Sequence, residues 1–319
     1  MRVIEPITID DIHAAHDRIK RTVTRTPLLK LNVDSPAEIY LKLENLQPIG
    51  SFKLRGASNA IRQLSSDALA RGVYTASAGN MAQGVAWGAR ELGIACTVIM
   101  PDNAPRTKLD AVSRLGAQIV KVPYDEWWQT LADHGRPDMS GTFIHPVADR
   151  AVMAGNGTIG LEIAEDLPDV DTVLVPFGGG GLVTGIATAI RALTPQARVF
   201  GCEVETSTPL RAALAAKRPV RVERTPSFVD GIGGRGVLDE MWPLVSSLIE
   251  GALVSSIAET KAAVRLLVER ARVVAEGAGA ASVAPALAGR AGAGKVACVV
   301  SGGNIDLATL AEILTQPGL

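Results

Sequence analysis

The apolar positions of this chain fall into short strand-like runs separated by segments with helical spacing. The run Ile94 to Met100 is apolar throughout, the pattern of a strand covered on both faces. Thr172 to Pro176 reads as a second buried strand. Ile39–Leu43, Val73–Thr75, Ala117–Val122, Ala197–Val204 and Lys295–Val300 read as further strands. Between them, helices are predicted over Ile9–Arg21, Met81–Leu92, Leu182–Leu193, Pro209–Ala216, Ala258–Ala271 and Ala278–Leu287, with a terminal helix at the end. Pro101 closes one strand, and Pro105 opens a helix that runs to Leu115. Trp127 and Trp128 fall in a helix ending near Gly135. Strands separated by helices predict parallel sheets covered by helices, an α/β fold. The polar stretch Leu131–Ser140, with Gly135 and Pro137, reads as a domain connection.

Composition narrows the function classes. A chain of 319 residues has room for about two domains. A hydrophobic share of 47% marks it as folded and globular. The net charge of −1 gives no reason to expect nucleic acid or an anionic membrane as partner. No apolar run reaches the roughly 20 residues of a membrane span, and the N-terminal residues lack a signal peptide's apolar stretch, so a cytoplasmic location is expected. No appended regulatory domain is expected after the terminal helix. Cys96, Cys202 and Cys298 each lie in or beside an apolar run and read as small core residues. The four histidines form no hydrolase triad and no metal-like pair; only His13 and His16 share a helix face.

The densest chemistry lies at Glu44-Asn45-Leu46-Gln47-Pro48-Ile49-Gly50-Ser51-Phe52-Lys53-Leu54-Arg55-Gly56-Ala57. Pro48 and Gly50 break the preceding strand, Ser51 occupies an N-cap position, and Lys53 falls in the first turn of a helix. The positive end of the helix dipole opposes a charged amine there and lowers its pKa, as an amine nucleophile requires. An ordinary surface lysine leaves the flanking Pro-x-Gly-Ser-Phe unexplained.

Three later segments follow strands and precede helices. Ser77-Ala78-Gly79-Asn80-Met81 offers backbone N–H groups to an anion such as a carboxylate. Gly178-Gly179-Gly180-Gly181 lets the backbone approach a phosphate. It is not a P-loop, and a dinucleotide reading rests on Glu203 or Glu205 about 20 residues on. Ser301-Gly302-Gly303-Asn304 is a tight turn at a strand's carboxyl edge, where Ser301 or Asn304 also suits a helix cap.

Together these segments resemble the fold-type II pyridoxal-phosphate (PLP) enzymes, in particular the threonine/serine dehydratase and serine racemase group. The resemblance runs from Thr26-Pro27-Leu28 to Asn304 and takes in Phe143-Ile144-His145-Pro146, Gly155 to Ile163, Asp230-Gly231-Ile232 and Glu276-Gly277-Ala278. It implies a two-domain, tryptophan synthase beta-like architecture. Residues 1–68 and 146–319 would form a large cofactor-binding domain and residues 69–145 a small one. It implies PLP held by Lys53, with its phosphate at Gly178, Gly179, Gly180 and Gly181. Phe52, Asn80, Glu276 and Ser301 would surround the ring, and Ser77, Ala78, Gly79, Asn80 and Met81 would bind the substrate carboxylate. The implied reaction is α,β-elimination of water from L-threonine or L-serine by a homodimer.

The chain departs from the family pattern in three places, at Met81, Asn156 and Pro209, and at Ala78 follows the family's dehydratases rather than its racemases. Met81 stands where the family has histidine, beside the carboxylate loop, and opens the reading that another β-hydroxy amino acid (3-hydroxyaspartate, phenylserine or a catabolic intermediate) is the substrate. Ala78 replaces the serine that serves racemases as second acid/base, which favours elimination over racemisation. Asn156 replaces glutamine. A divalent cation (Mg or Ca) near the phosphate loop would use Glu203 and a carbonyl near Ser207, but Pro209 stands in place of the second carboxylate. Outside the family, a nucleotide-binding oxidoreductase and a non-catalytic small-molecule binder remain as alternatives.

Overall fold

A computed structural model describes residues 3–104 and 106–315. Pro105, the expected start of a helix, lies outside the described residues, as do the last residues of the chain. The described residues form two sheets. The strands are β1 Leu28–Lys30, β2 Ala37–Lys42, β3 Val73–Ala76, β4 Cys96–Pro101, β5 Gln118–Val122, β6 Thr142–Phe143, β7 Thr172–Pro176, β8 Arg198–Val204, β9 Gly251–Ser255 and β10 Gly294–Val299. The six-stranded sheet has the order β1-β2-β10-β7-β8-β9, and the four-stranded sheet the order β5-β4-β3-β6. All neighbours run parallel except β1, which pairs antiparallel with β2 at the edge.

The helices are α1 Ile9–Ile19, α2 Lys53–Ile61, α3 Ser66–Ala70, α4 Asn80–Leu92, α5 Arg106–Ser113, α6 Tyr124–Ala132, α7 Arg150–Asp166, α8 Gly181–Leu193, α9 Pro209–Ala216, α10 Trp242–Leu248, α11 Ile257–Leu266, α12 Gly277–Ala280, α13 Val283–Leu287 and α14 Leu307–Thr315. Local chemistry sets their ends. Thr8 and Asp11 form a capping box on α1, and Asp149 accepts two backbone N–H groups at the start of α7. Gly93 ends α4 in the left-handed conformation. The helix expected over Ala278–Leu287 is split into α12 and α13. The helix α7 and the pair α10 and β9 were not expected from the sequence.

The core is apolar on both faces of the larger sheet. Val173, Val175, Ala297 and Val299 pack on one side with α7 and α8; Leu41, Leu174, Cys202 and Cys298 pack on the other with α11 and α13. Cys202 and Cys298 are fully buried, whereas Cys96 is half-buried. Burial pushes the Cys96 thiol up to about 12, and the other two upward as well. None of the three is a thiolate at neutral pH.

Because β2, β10 and β7 are adjacent and parallel, their carboxyl ends lie on one edge. The chain leaves that edge at Leu43, Val300 and Phe177 and enters the three loops singled out above. The carboxyl end of β3 brings a fourth, Ser77–Gly79, from the smaller sheet.

Candidate active site

Backbone hydrogen bonds join the first and last of these loops. Phe52 N donates to Ser301 O at 3.0 Å, Gly303 N to Gly50 O at 2.9 Å, and Ser51 bridges Gly302. Gly50 requires glycine for two reasons: its φ is +71, and an added Cβ would lie 2.6 Å from Asn304 Oδ1. Ser51 does not cap α2. Phe52 takes the cap position without a side-chain bond, and the buried Ser51 Oγ has no hydrogen-bond partner among the described residues.

Lys53 is the first residue of α2, with Nζ 2.8 Å from Pro146 O and 5.1 Å from the centre of the Phe52 ring. Desolvation by burial lowers its pKa to about 8. Val147, the next residue after Pro146, packs against the glycine loop: a Cβ on Gly179 would meet Val147 Cγ2 at 2.6 Å, and one on Gly181 would meet Val147 O at 2.7 Å. The amine and the tetraglycine loop therefore flank the same short turn. A Cβ on Gly178 would make ordinary contact with Gly231 O at 3.6 Å and Ile232 Cγ2 at 3.7 Å; the loop leads into the first turn of α8, where backbone N–H groups have no intrahelical acceptor.

Ser77 Oγ accepts from Gly79 N at 3.2 Å and shapes the turn into α4. A Cβ on Gly79 would meet nothing within 4 Å, so this helix start faces open space. Ala78 is half-buried. Asn80 joins the two sheets: its Nδ2 donates to Glu276 Oε1 at 2.8 Å, and its Oδ1 accepts from Asn304 Nδ2 at 2.8 Å. Asn304 also donates to Ile49 O at 2.9 Å, so it clasps loops and does not cap a helix. Glu276 sits at the N-cap of α12 without a side-chain cap bond. Burial first, then the charge of Asp230, raises its pKa to about 7; the Asn80 hydrogen bond and Lys108 oppose this. Lys108 and Asp230 themselves pair at 2.5 Å. Ser301 is buried, and its carbonyl is the acceptor for Phe52.

Two expectations need correction. Met81 is fully buried in an apolar cluster with Ala57, Ile61, Ile144 and Val152, so its side chain packs the core and does not line the carboxylate loop. Glu203 accepts from Leu210 N at 2.6 Å and Arg211 N at 3.0 Å, so both its oxygens serve the start of α9. Burial raises its pKa to about 7, against the lowering by the Arg211 and Leu210 N–H groups. Glu205 accepts from Ile257 N at the start of α11, which leaves neither acid placed for a ribose.

Sequence reasoning missed the polar cluster beneath α2. Arg55 bonds both oxygens of Glu44 at 2.8 Å and both of Glu162, at 2.7 and 2.8 Å. Lys42 completes the cluster at 2.6 Å from Glu162. Two cations and two carboxylates, all fully buried, anchor the helix that begins at Lys53. The Arg-Gly after Lys53 was the one local signal. The partners Lys42 and Glu162 carry none, because they come from distant elements.

A model described as "Pyridoxal-phosphate dependent enzyme" matches residues 19–302. The chain is 43% identical over 316 residues to an L-threonine ammonia-lyase of Thermotoga maritima, covering 97% of this chain and 79% of that protein. It is 37% identical over 318 residues to a catabolic L-threonine dehydratase of Staphylococcus aureus, covering 97% and 92%. Among solved structures, maize serine racemase superposes with a TM-score of 0.90 at 31% identity, covering 97% of both chains. The threonine deaminase of T.th. superposes with a TM-score of 0.87 at 34% identity, covering 94% of this chain and 99% of that one.

Proposed function

The chain belongs to the pyridoxal-phosphate dependent enzyme family, and on that premise we propose that it is an ammonia-lyase that dehydrates L-threonine to a 2-oxo acid and ammonia. The observation that carries this reading is the 43% identity to an L-threonine ammonia-lyase over 97% of the chain. The site is consistent with it: a half-buried amine lowered to about 8 shares a turn with the glycine loop.

PLP, when bound, supplies an electron sink next to the substrate Cα. Lys53 Nζ would hold it, and the N–H groups of Gly178 to Gly181 would take its phosphate. Phe52, Asn80, Glu276 and Ser301 would flank its ring. The open space at Gly79 and the Ser51 hydroxyl, unpartnered among the described residues, fit such a group. The backbone from Ser77 to Met81 binds the substrate carboxylate. Lys53 Nζ takes the Cα proton, and a pKa of about 8 leaves a useful fraction of the amine free for this near neutral pH. The β-hydroxyl leaves with a proton as water, and a water taken up later releases ammonia and the 2-oxo acid. Ala78 has no group to deliver a proton to the opposite face of Cα, which favours elimination.

L-Serine is the second substrate of this reading, a homodimer its assembly and the cytoplasm its location; among the described residues no helix is long and apolar enough to cross a membrane. A second reading, serine racemisation, is favoured by the likeness to maize serine racemase and opposed by Ala78. The test is to supply L-threonine, L-serine and L-threo-3-hydroxyaspartate to PLP-loaded wild type and Lys53→Ala, measuring 2-oxo acid and D-serine. L-Threonine giving the most oxo acid, with none from Lys53→Ala, supports the proposal. D-Serine as main product, or faster turnover of the 3-hydroxyaspartate, overturns it in favour of that alternative.

A further inference from the structure

We propose that His145 is a positioning residue that sets Lys53 and the glycine loop in register with each other, an inference that rests on the cofactor reading above. His145 is buried, 3% exposed, and follows the short edge strand β6. Its Nδ1 accepts from Val147 N at 3.0 Å and from Ala148 N at 2.7 Å. Two N–H groups aimed at one ring nitrogen fix the lone pair there and the proton on Nε2. These two bonds curl residues 146–148 around the imidazole. The curl aims Pro146 O at Lys53 Nζ, 2.8 Å away, and sets Val147 against Gly179 and Gly181. One side chain thus fixes both the acceptor of the amine and the support of the loop.

The ring is itself held. His134 stacks on it with centroids 4.3 Å apart and planes 27° from parallel, and Phe143 meets it nearly edge-on at 85°. His134, in the left-handed conformation at φ 57, places its Nε2 2.7 Å from Glu240 Oε1. His134 follows α6 over the smaller sheet, and Glu240 precedes α10 on the larger body, so the stack sits where the two bodies meet. The possible ligand atoms of His134, His145 and Glu240 lie within 4.8 Å of one another. A metal ion there would need a free imidazole lone pair, and that of His145 is already committed to two backbone donors. The geometry favours alignment of the turn.

The test compares wild type, His145→Ala and His145→Asn. The asparagine amide oxygen can accept N–H groups two and three residues on, as the imidazole does. PLP is titrated into cofactor-stripped protein by absorbance, borohydride-fixed adducts are mapped by mass spectrometry, and thermal melts report the fold. Removing the acceptor leaves two buried donors unpaired, so His145→Ala is expected to weaken PLP binding about tenfold or more while melting cooperatively. His145→Asn is expected to stay within about threefold of wild type. Should the alanine variant lack a cooperative melt, His145→Leu, which fills the space without the acceptor, takes its place. Equal binding by wild type and the acceptor-less variant overturns the inference alone, as does His145→Asn binding no better than that variant. Wild type that takes up no PLP at Lys53 overturns the cofactor reading and this inference with it.

Discussion

Burial lowers Lys53 to about 8 from an ordinary 10.5, and this shift acts on stability as well as chemistry. Below about pH 8 folded and unfolded chains both carry the proton, and the cost of a buried charge is constant. Between about 8 and 10.5 the unfolded chain keeps a proton that the folded one has lost, so stability rises with pH across that window. Cofactor-free Lys53→Met is therefore expected to melt above wild type at pH 7, with the gap closing towards pH 10.5. Melting curves at several pH values check this, and a gap that is constant or widens contradicts it. Lys53 was legible in the sequence because its flanks break a strand and start a helix within a few residues. Met81 was misread for a related reason. Its place in the motif fixes the backbone, but the helix α4 turns its side chain into the core, a direction that linear spacing does not reveal.

At the scale of elements, the helix hidden from the sequence is α7. Gly155, Gly157 and Gly160 lower its intrinsic helix preference, and nothing linear shows that they are there for close packing. A Cβ on Gly155 would lie 2.5 Å from Arg55 O, and one on Gly160 would lie 2.8 Å from Ile186 O. Gly155→Ala is expected to cost about 1–3 kcal/mol, measured by denaturant unfolding, and to weaken PLP binding because it pushes on α2 two residues beyond Lys53. The start of α9 gives an independent case. Glu203→Ala leaves Leu210 and Arg211 N–H without their acceptor, a loss of about 1–3 kcal/mol. A chelator is expected to leave the wild-type melting temperature unchanged, since Glu203 already serves the helix. A chelator-sensitive melt restored by Mg or Ca would return this carboxylate to the role of cation ligand.

Across the whole molecule, the buried strand runs made the sheets legible, since a doubly covered strand announces itself by continuous apolarity. How the two sheets face each other was not legible. It rests on contacts between residues far apart in the chain: an apolar cluster of Ala57, Ile61, Met81, Val85 and Val152, and the polar pairs Asn80 with Glu276, Lys108 with Asp230, His134 with Glu240. The charges of the Lys108–Asp230 pair also act on Glu276, whose pKa of about 7 Asp230 raises and Lys108 lowers. Opposite predictions follow for the two charges. Lys108→Ala removes the cation and moves the titration of Glu276 upward; Asp230→Asn removes the anion and moves it downward. The pair is solvent-exposed, so neither change costs more than about 1 kcal/mol of stability, and melting curves serve as the control. The readout is the inflection near neutral pH in kcat/KM for L-threonine, compared with that of Glu276→Gln, which should lack it. Shifts of opposite sign would tie the inflection to Glu276 and make the bridge between the sheets an electrostatic setting of the site. Shifts of the same sign, or an inflection that persists in Glu276→Gln, would assign the titration to another group, with Lys53 the first to test.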